Sequence, residues 1–322
     1  MKKVLLILFC IAVKSSFSQQ MAQYSQYLRN QFMINPGAAG VYDFTDVTIG
    51  GRLQWAGFTN APKTTYISFS APLTKGNPKA KYNPSLHLST SQAKNPEIKT
   101  GKFKQAIGSQ MVADEYGAFR KIQFSGTYAI HIPIAKTYNL SFGTKLGITN
   151  HAFLKDRAFV ADAAGDNTYT SFTTNQANKS TMDISAGLYF YSDKLFFGIA
   201  GDQLTGDMVH FGSGTANFDP KIHYTLTGGY KLSVGNEFTI TPAFLLKYMS
   251  PVTPTVEGSM QFEYKEWIWA AASYRHKDAL IGMIGLNINR RIKFGYSYDF
   301  SLSKFNTYSS GGHEVIVGIM LR

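Results

Sequence analysis

Cysteine is almost absent from this sequence: the single one, Cys10, lies in an apolar run close to the amino terminus. Charge is scarce too, with only 16% of residues charged against roughly 25% in an ordinary soluble domain. Missing as well is any apolar stretch of about 18 residues, the length a membrane-spanning helix needs. Each absence excludes something. A disulfide framework is ruled out, so the fold must hold itself together without one. A chain exported without a helical anchor is either soluble or a closed β-barrel, the other structure that satisfies its backbone in lipid. A soluble protein of this length needs a charged exterior, and this one lacks the residues for it.

What is present begins with an export pattern. Met1-Lys2-Lys3 is a basic start, Val4 to Val13 is apolar, and Ser16-Phe17-Ser18 offers small residues for cleavage. This reads as a signal peptide over 1–18, too short to span a bilayer. Cleavage after Ser18 would leave 322 − 18 = 304 residues and remove Cys10. Phe9 precedes that cysteine where a small residue would be needed, so lipidation is not expected. The formal charge of +12 falls to +9, 29 basic against 20 acidic residues, when Lys2, Lys3 and Lys14 leave. Export and the lack of any concentrated basic stretch argue against nucleic acid. Phosphate-bearing outer-membrane lipid and acidic partners suit such a charge better.

Along the chain the period is two. In Tyr138–Thr149 one face carries Tyr138, Leu140, Phe142, Leu146 and Ile148, and the other Asn139, Ser141, Gly143, Lys145, Gly147 and Thr149. Segments of about ten residues with this alternation are the signature of a transmembrane barrel. A soluble sandwich alternates too, but its polar face meets water and usually carries Lys and Glu. Here that face is mostly Gly, Ser, Thr and Asn with single charges such as Lys145, Asp183, Glu257 and Asp299, as a lumen would be. Trp267 and Trp269, with Tyr296, Tyr298 and Phe300, are candidates for aromatic girdles at the lipid interface, or for ordinary strand packing.

Strands are expected near 44–56, 62–72, 103–115, 119–132, 137–150, 181–192, 194–203, 221–234, 236–248, 253–264, 266–276, 278–289, 291–302 and 312–322. A further, weaker candidate lies at 83–92, beside Pro84. Single-chain bacterial barrels have an even number of strands, and dropping the weak one leaves fourteen. The fold class is therefore all-β, a transmembrane antiparallel up-and-down barrel over 41–322. With the start of the barrel in the periplasm, the long connections 151–180, 204–220 and 303–311 face outward and the short turns inward, as outer-membrane barrels require. One connection, 73–102, is long on the inner side and carries Pro78, Pro84 and Pro96. Before the first strand, 19–40 is unlike the rest and is expected to be periplasmic or to plug the lumen. Tyr24, Tyr27, Leu28 and Phe32 fall at a helical spacing, and Asn35-Pro36-Gly37 is expected to end that turn. The segment is expected to pack into the periplasmic mouth; a disordered leader is the alternative.

Chemistry has few footholds. The seven histidines show no metal-ligand spacing, and neither a nucleophile elbow, a P-loop nor a dinucleotide fingerprint occurs. A hydrolase pairing Ser with His across strands would draw on His131 or His223, both on predicted inward faces; histidines satisfied by their neighbours are the plainer reading. The acidic loop from Asp156 to Asn167 misses the spacing of a calcium loop and reads as a solvated surface. No catalytic, metal or cofactor site is expected.

The residues resemble the PorP/SprF family of outer-membrane proteins of the Bacteroidota type IX secretion system, over essentially the whole mature chain. The carriers begin with Gln26-Tyr27, Ile34-Asn35-Pro36 and Ala39-Gly40, then Gln54-Trp55-Ala56-Gly57-Phe58 and Ala61-Pro62-Lys63-Thr64. Further along come Leu188 to Ser192, Gly228-Gly229-Tyr230 and Gly295 to Asp299, and finally Leu302-Ser303-Lys304 and Tyr308-Ser309-Ser310-Gly311-Gly312-His313-Glu314. The resemblance implies a barrel that helps export or retain a secreted surface protein with a type IX C-terminal targeting domain, in gliding bacteria an adhesin, alongside other components of that system. It also makes the outer connection 303–313, including Asn306 and Tyr308, the expected partner contact. A porin-like or hydrophobic-solute channel is the competing class. The sequence departs from the family in its longer, more basic 74–102 and in ending Ile319-Met320-Leu321-Arg322 without a terminal aromatic.

Overall fold

The computed structural model describes residues 22–73, 100–160, 165–174, 178–206, 210–211, 221–288, 291–303, 307 and 309–321. Its strands are β1 (Thr45–Leu53), β2 (Lys63–Pro72), β3 (Lys104–Tyr116), β4 (Phe119–Ala135), β5 (Tyr138–Phe153), β6 (Asn178–Tyr191) and β7 (Leu195–Asp202). There follow β8 (His210–Phe211), β9 (His223–Tyr230), β10 (Leu232–Val234), β11 (Phe238–Met249), β12 (Thr255–Tyr264) and β13 (Ile268–Arg275). The last three are β14 (Ala279–Ile288), β15 (Ile292–Ser301) and β16 (Gly312–Leu321).

These sixteen segments make fourteen staves, since β8 is a two-residue piece beside β6 and β9 and β10 form one stave interrupted at Lys231 (16 − 2 = 14). Neighbours in sequence pair antiparallel, and β1 pairs with β16 over Thr45–Leu53, which closes the barrel. The fourteen expected staves are therefore all present. β2 pairs directly with β3 from Lys63 to Pro72, so no stave lies between them. The candidate strand at 83–92 falls outside the described residues. Hairpins such as β4–β5, β6–β7 and β12–β13 turn within a few residues at one end, whereas 154–177, 203–222 and 302–311 are longer and lie at the other. By the usual asymmetry of outer-membrane barrels the short-turn end is periplasmic.

Burial follows the alternation. Along β5, Phe142, Leu146 and Ile148 are exposed while Asn139, Ser141, Lys145 and Thr149 are buried. Large apolar residues face outward around the wall, with Phe124 at 63% and Ile284 at 61% exposure. In water such a surface would be unsupportable; in lipid it is the stable arrangement. The polar face is buried because the lumen is occupied.

Two expectations need correction. Trp269 is not at the lipid interface: it points inward and is 2% exposed, with the guanidinium of Arg29 5.0 Å from its ring. Trp267 is exposed, but it precedes β13, so strand parity does not carry over from it to Trp269. Tyr298 and Phe300 do face outward. The second correction is partial: the turn Gln31–Met33 does end just before Asn35-Pro36-Gly37, but that tripeptide also starts a new one. Pro36–Ala38 is a 3-10 turn with Asn35 as its cap and Pro36 at the first position. That position suits proline, whose fixed φ matches the turn and whose missing N–H would have no partner there.

Candidate functional site

Residues 22–44 run through the interior of the barrel. Three 3-10 turns, Tyr27–Arg29, Gln31–Met33 and Pro36–Ala38, carry the chain between the walls. Tyr24, Tyr27, Phe32, Met33 and Ile34 are buried there, although their neighbours on the strands are largely polar. The short helical turns expected from the spacing are present as the 3-10 turns Tyr27–Arg29 and Gln31–Met33.

At the extracellular end the segment meets full charges. The Ser25 amide donates to a Glu314 carboxylate oxygen at 2.7 Å, and its hydroxyl lies 2.9 Å from both oxygens of Asp299. Arg52 bridges the two acids, 2.7 Å from Asp299 and 3.2 Å from Glu314, and also donates to the Ser25 hydroxyl at 2.7 Å. Arg275 continues the network: it pairs with Glu257 at 2.9 Å and Asp299 at 3.3 Å, and donates to the Gln23 side chain at 2.9 Å. Tyr66 donates to the second oxygen of Glu314 at 3.2 Å. Two guanidinium groups and three carboxylates thus meet in one buried cluster. Such a group tolerates burial only while every member has its partners.

Towards the periplasm neutral contacts join the ionic ones, Arg29 pairing with Glu263 at 3.4 Å and Lys104 with Asp43 at 3.8 Å. Asn30 donates to Ser68, and Gln110 donates to the Phe32 carbonyl at 2.7 Å. Asn35 is the centre of this half. Its side-chain oxygen accepts from the Gly37 amide at 2.8 Å, and its side-chain nitrogen donates to the carbonyls of Leu188 and Ile199 at 3.0 and 3.3 Å. The chain can approach this closely because the wall is bare of side chains: a Cβ on Gly187 would collide with Asn35, and one on Gly143 with the Pro36 carbonyl. Below, one ring nitrogen of His131 meets the Ala39 carbonyl and the other the Tyr191 hydroxyl, both at 2.9 Å. Lys104, the first residue of β3, donates to the Val41 carbonyl at 2.7 Å.

The expected site residues divide between two places. Gln26, Tyr27, Asn35, Pro36 and Gly40 lie on the lumen segment with Glu314 beside them: Gln26 donates to the Glu314 carbonyl at 3.1 Å, Tyr27 meets Ser259 at 3.2 Å, and Gly40 donates to Ser70 at 3.2 Å. Trp55, Gly57, Phe58, Pro62 and Lys63 sit at the extracellular β1–β2 connection, next to Ser309, Gly312 and His313. Backbone bonds between Ala56 and Gly311 at 2.8 Å and between Ser310 and Ala56 at 2.7 Å join these loops across the closing seam. Ser303 lies at the start of the outer connection; Asn306 and Tyr308 fall outside the described residues. Sequence reasoning missed Arg52, Arg275, Ser25 and the glycines of the wall. A signal for the arginines was available, since each sits at a buried, inward position of its strand.

His131 has both nitrogens committed to structural partners, which removes it as a general base. His223 lies on the lumen wall opposite Asp202 in the strand register. Among the described residues no group of three or more His, Cys, Asp or Glu could hold a metal ion. The model for the type IX secretion system membrane protein PorP/SprF matches residues 16–319. The chain belongs to that family. As a PorP/SprF protein with an apolar-faced closed barrel, it is an outer-membrane protein, and neither its family nor its fold is that of an enzyme. No curated protein matches the sequence. Among solved structures, the chain is similar to the CymD monoaromatic hydrocarbon channel, with TM-score 0.49, 10% identity, and 90% and 91% of the two chains covered. It is also similar to the P. putida toluene transporter TodX, with TM-score 0.48, 10% identity and coverage of 89% and 92%. A third similarity is to the translocator domain of autotransporter NalP from Neisseria meningitidis, with TM-score 0.38, 11% identity and coverage of 87% and 88%.

Proposed function

We propose that this PorP/SprF barrel supports the export or surface attachment of a secreted partner protein that carries a type IX C-terminal targeting domain, a gliding adhesin being one such partner. The family match supports the secretion role. The observation that carries the choice between an interaction protein and a solute channel is the lumen itself. Residues 22–44 fill it with buried, hydrogen-bonded structure, and a void of about 200 Å³ sits at the periplasmic end. A channel needs a path; this barrel presents a scaffold. The partner surface is then the extracellular rim, where Trp55, Gly57 and Phe58 stand beside Ser309 to His313, with Asn306 and Tyr308 in the same connection.

The test is a strain lacking the gene, complemented with the intact protein or with Asn306→Ala/Tyr308→Ala. The intact protein restores surface display of the partner, and the double variant at normal barrel levels does not. Normal display with the double variant removes the rim from the reading. In planar bilayers the intact protein stays closed; steady, substrate-selective conductance would favour the solute-channel class instead.

A further inference from the structure

The lumen segment starts at the extracellular end of the barrel and finishes at the periplasmic end. Gln23 is bound by Arg275, the last residue of β13, and Ser25 by Arg52, Asp299 and Glu314, all within a few residues of the extracellular strand ends. Phe32 meets Gln110, midway along β3. Ala39 meets His131, close to the periplasmic end of β4, and Val41 meets Lys104 at the periplasmic start of β3. Between these points the path doubles back: Arg29 pairs with Glu263 and donates to Asn287, both near the periplasmic ends of their strands, at 3.4 and 2.6 Å, before Phe32 returns to mid-depth. The chain enters β1 at the periplasmic end, yet its earlier residues stand at the opposite end of the barrel.

We propose that the amino-terminal end of the folded chain opens to the cell exterior through the lumen, making that end an extracellular element alongside the strand loops. Two observations support this. The interior below Ala22 is occupied by residues 25–41, most of them buried. The voids beside Ala22 and Gln23 are small, about 40 and 50 Å³, and lie among residues of the extracellular half such as Asp114, Asp202, Met249 and Thr255. A void of that size holds a few waters, not a second pass of polypeptide. Anything that binds the chain start, or any extension carried there, would meet the medium directly.

The sequence offers a clean labelling background, because its one cysteine is Cys10. With Cys10 replaced by Ala, Gln23→Cys and Tyr42→Cys would be exposed to a membrane-impermeant maleimide on intact cells and after outer-membrane permeabilisation. Gln23→Cys is expected to label on intact cells, and Tyr42→Cys only once the periplasm is opened. The reverse pattern overturns the proposal. An epitope inserted immediately before Gln23 provides a second readout: antibody binding on intact cells supports it, and binding confined to permeabilised cells, with the barrel at normal levels, overturns it. Neither measurement depends on a secretion partner, so failure here leaves the proposed role in secretion standing.

Discussion

At its extracellular end the lumen segment is gripped by Arg52, Arg275, Asp299, Glu257 and Glu314, while at its periplasmic end Asn35 reads two strand carbonyls over a wall of glycine. The two ends obey different physics. A buried ionic group is nearly neutral in net stability when complete and costly when one member is lost. A close neutral fit tolerates the loss of one hydrogen bond but not an added atom, because packed interiors respond to volume. The same segment is thus held by a buried ionic cluster above and, around Asn35, by shape below.

Removing residues 22–40 should have the largest effect, since it empties the lumen and strips both ends at once. The variant is expected to lose the heat-resistant mobility shift of a folded barrel on semi-native gels; a shift as robust as the parent's would break the claim that the segment supports the wall. Next in size is Arg52→Met, which leaves Asp299 and Glu314 short of a buried partner. A loss of about 3–5 kcal/mol is expected, read as a lower urea midpoint for unfolding from vesicles. Gly187→Val inserts atoms against Asn35 and should cost about 1–3 kcal/mol, with residues near Arg29 becoming cleavable by added protease. Smallest is Asn35→Ala, which deletes the bonds to Leu188 and Ile199 and should cost about 1–2 kcal/mol. If Asn35→Ala proves as damaging as Arg52→Met, the contrast between the two ends is wrong.

Much of this architecture could be read from the alternation. Tyr138 to Thr149 declares both its lipid face and its lumen face, and thirteen further stretches do the same, so parity and loop length led to the staves and their orientation. Trp269 misled because a residue just outside a strand, Trp267, does not share its phase. Asn35-Pro36 misled because proline is equally suited to close one turn and to open the next. The clamp on Ser25 was illegible for another reason: its members are up to 289 positions apart. Their meeting depends on the β1–β16 register, which alternation alone does not provide. Glycine on the lumen face read as small polar lining; that it serves as a berth for Asn35 emerges only once the segment is in place.

The bond from Ser25 to Glu314 has a consequence for biogenesis. Ser25 belongs to the stretch made first, and Glu314 to the final strand, so this contact exists only in a chain that has been completed and joined to itself. A ribosome product missing β16 would lack Glu314, leave Arg52 with half its countercharge, and leave the Ser25 amide unclaimed. The barrel thereby carries its own completeness check, a seal between the segment that precedes its first strand and its closing strand.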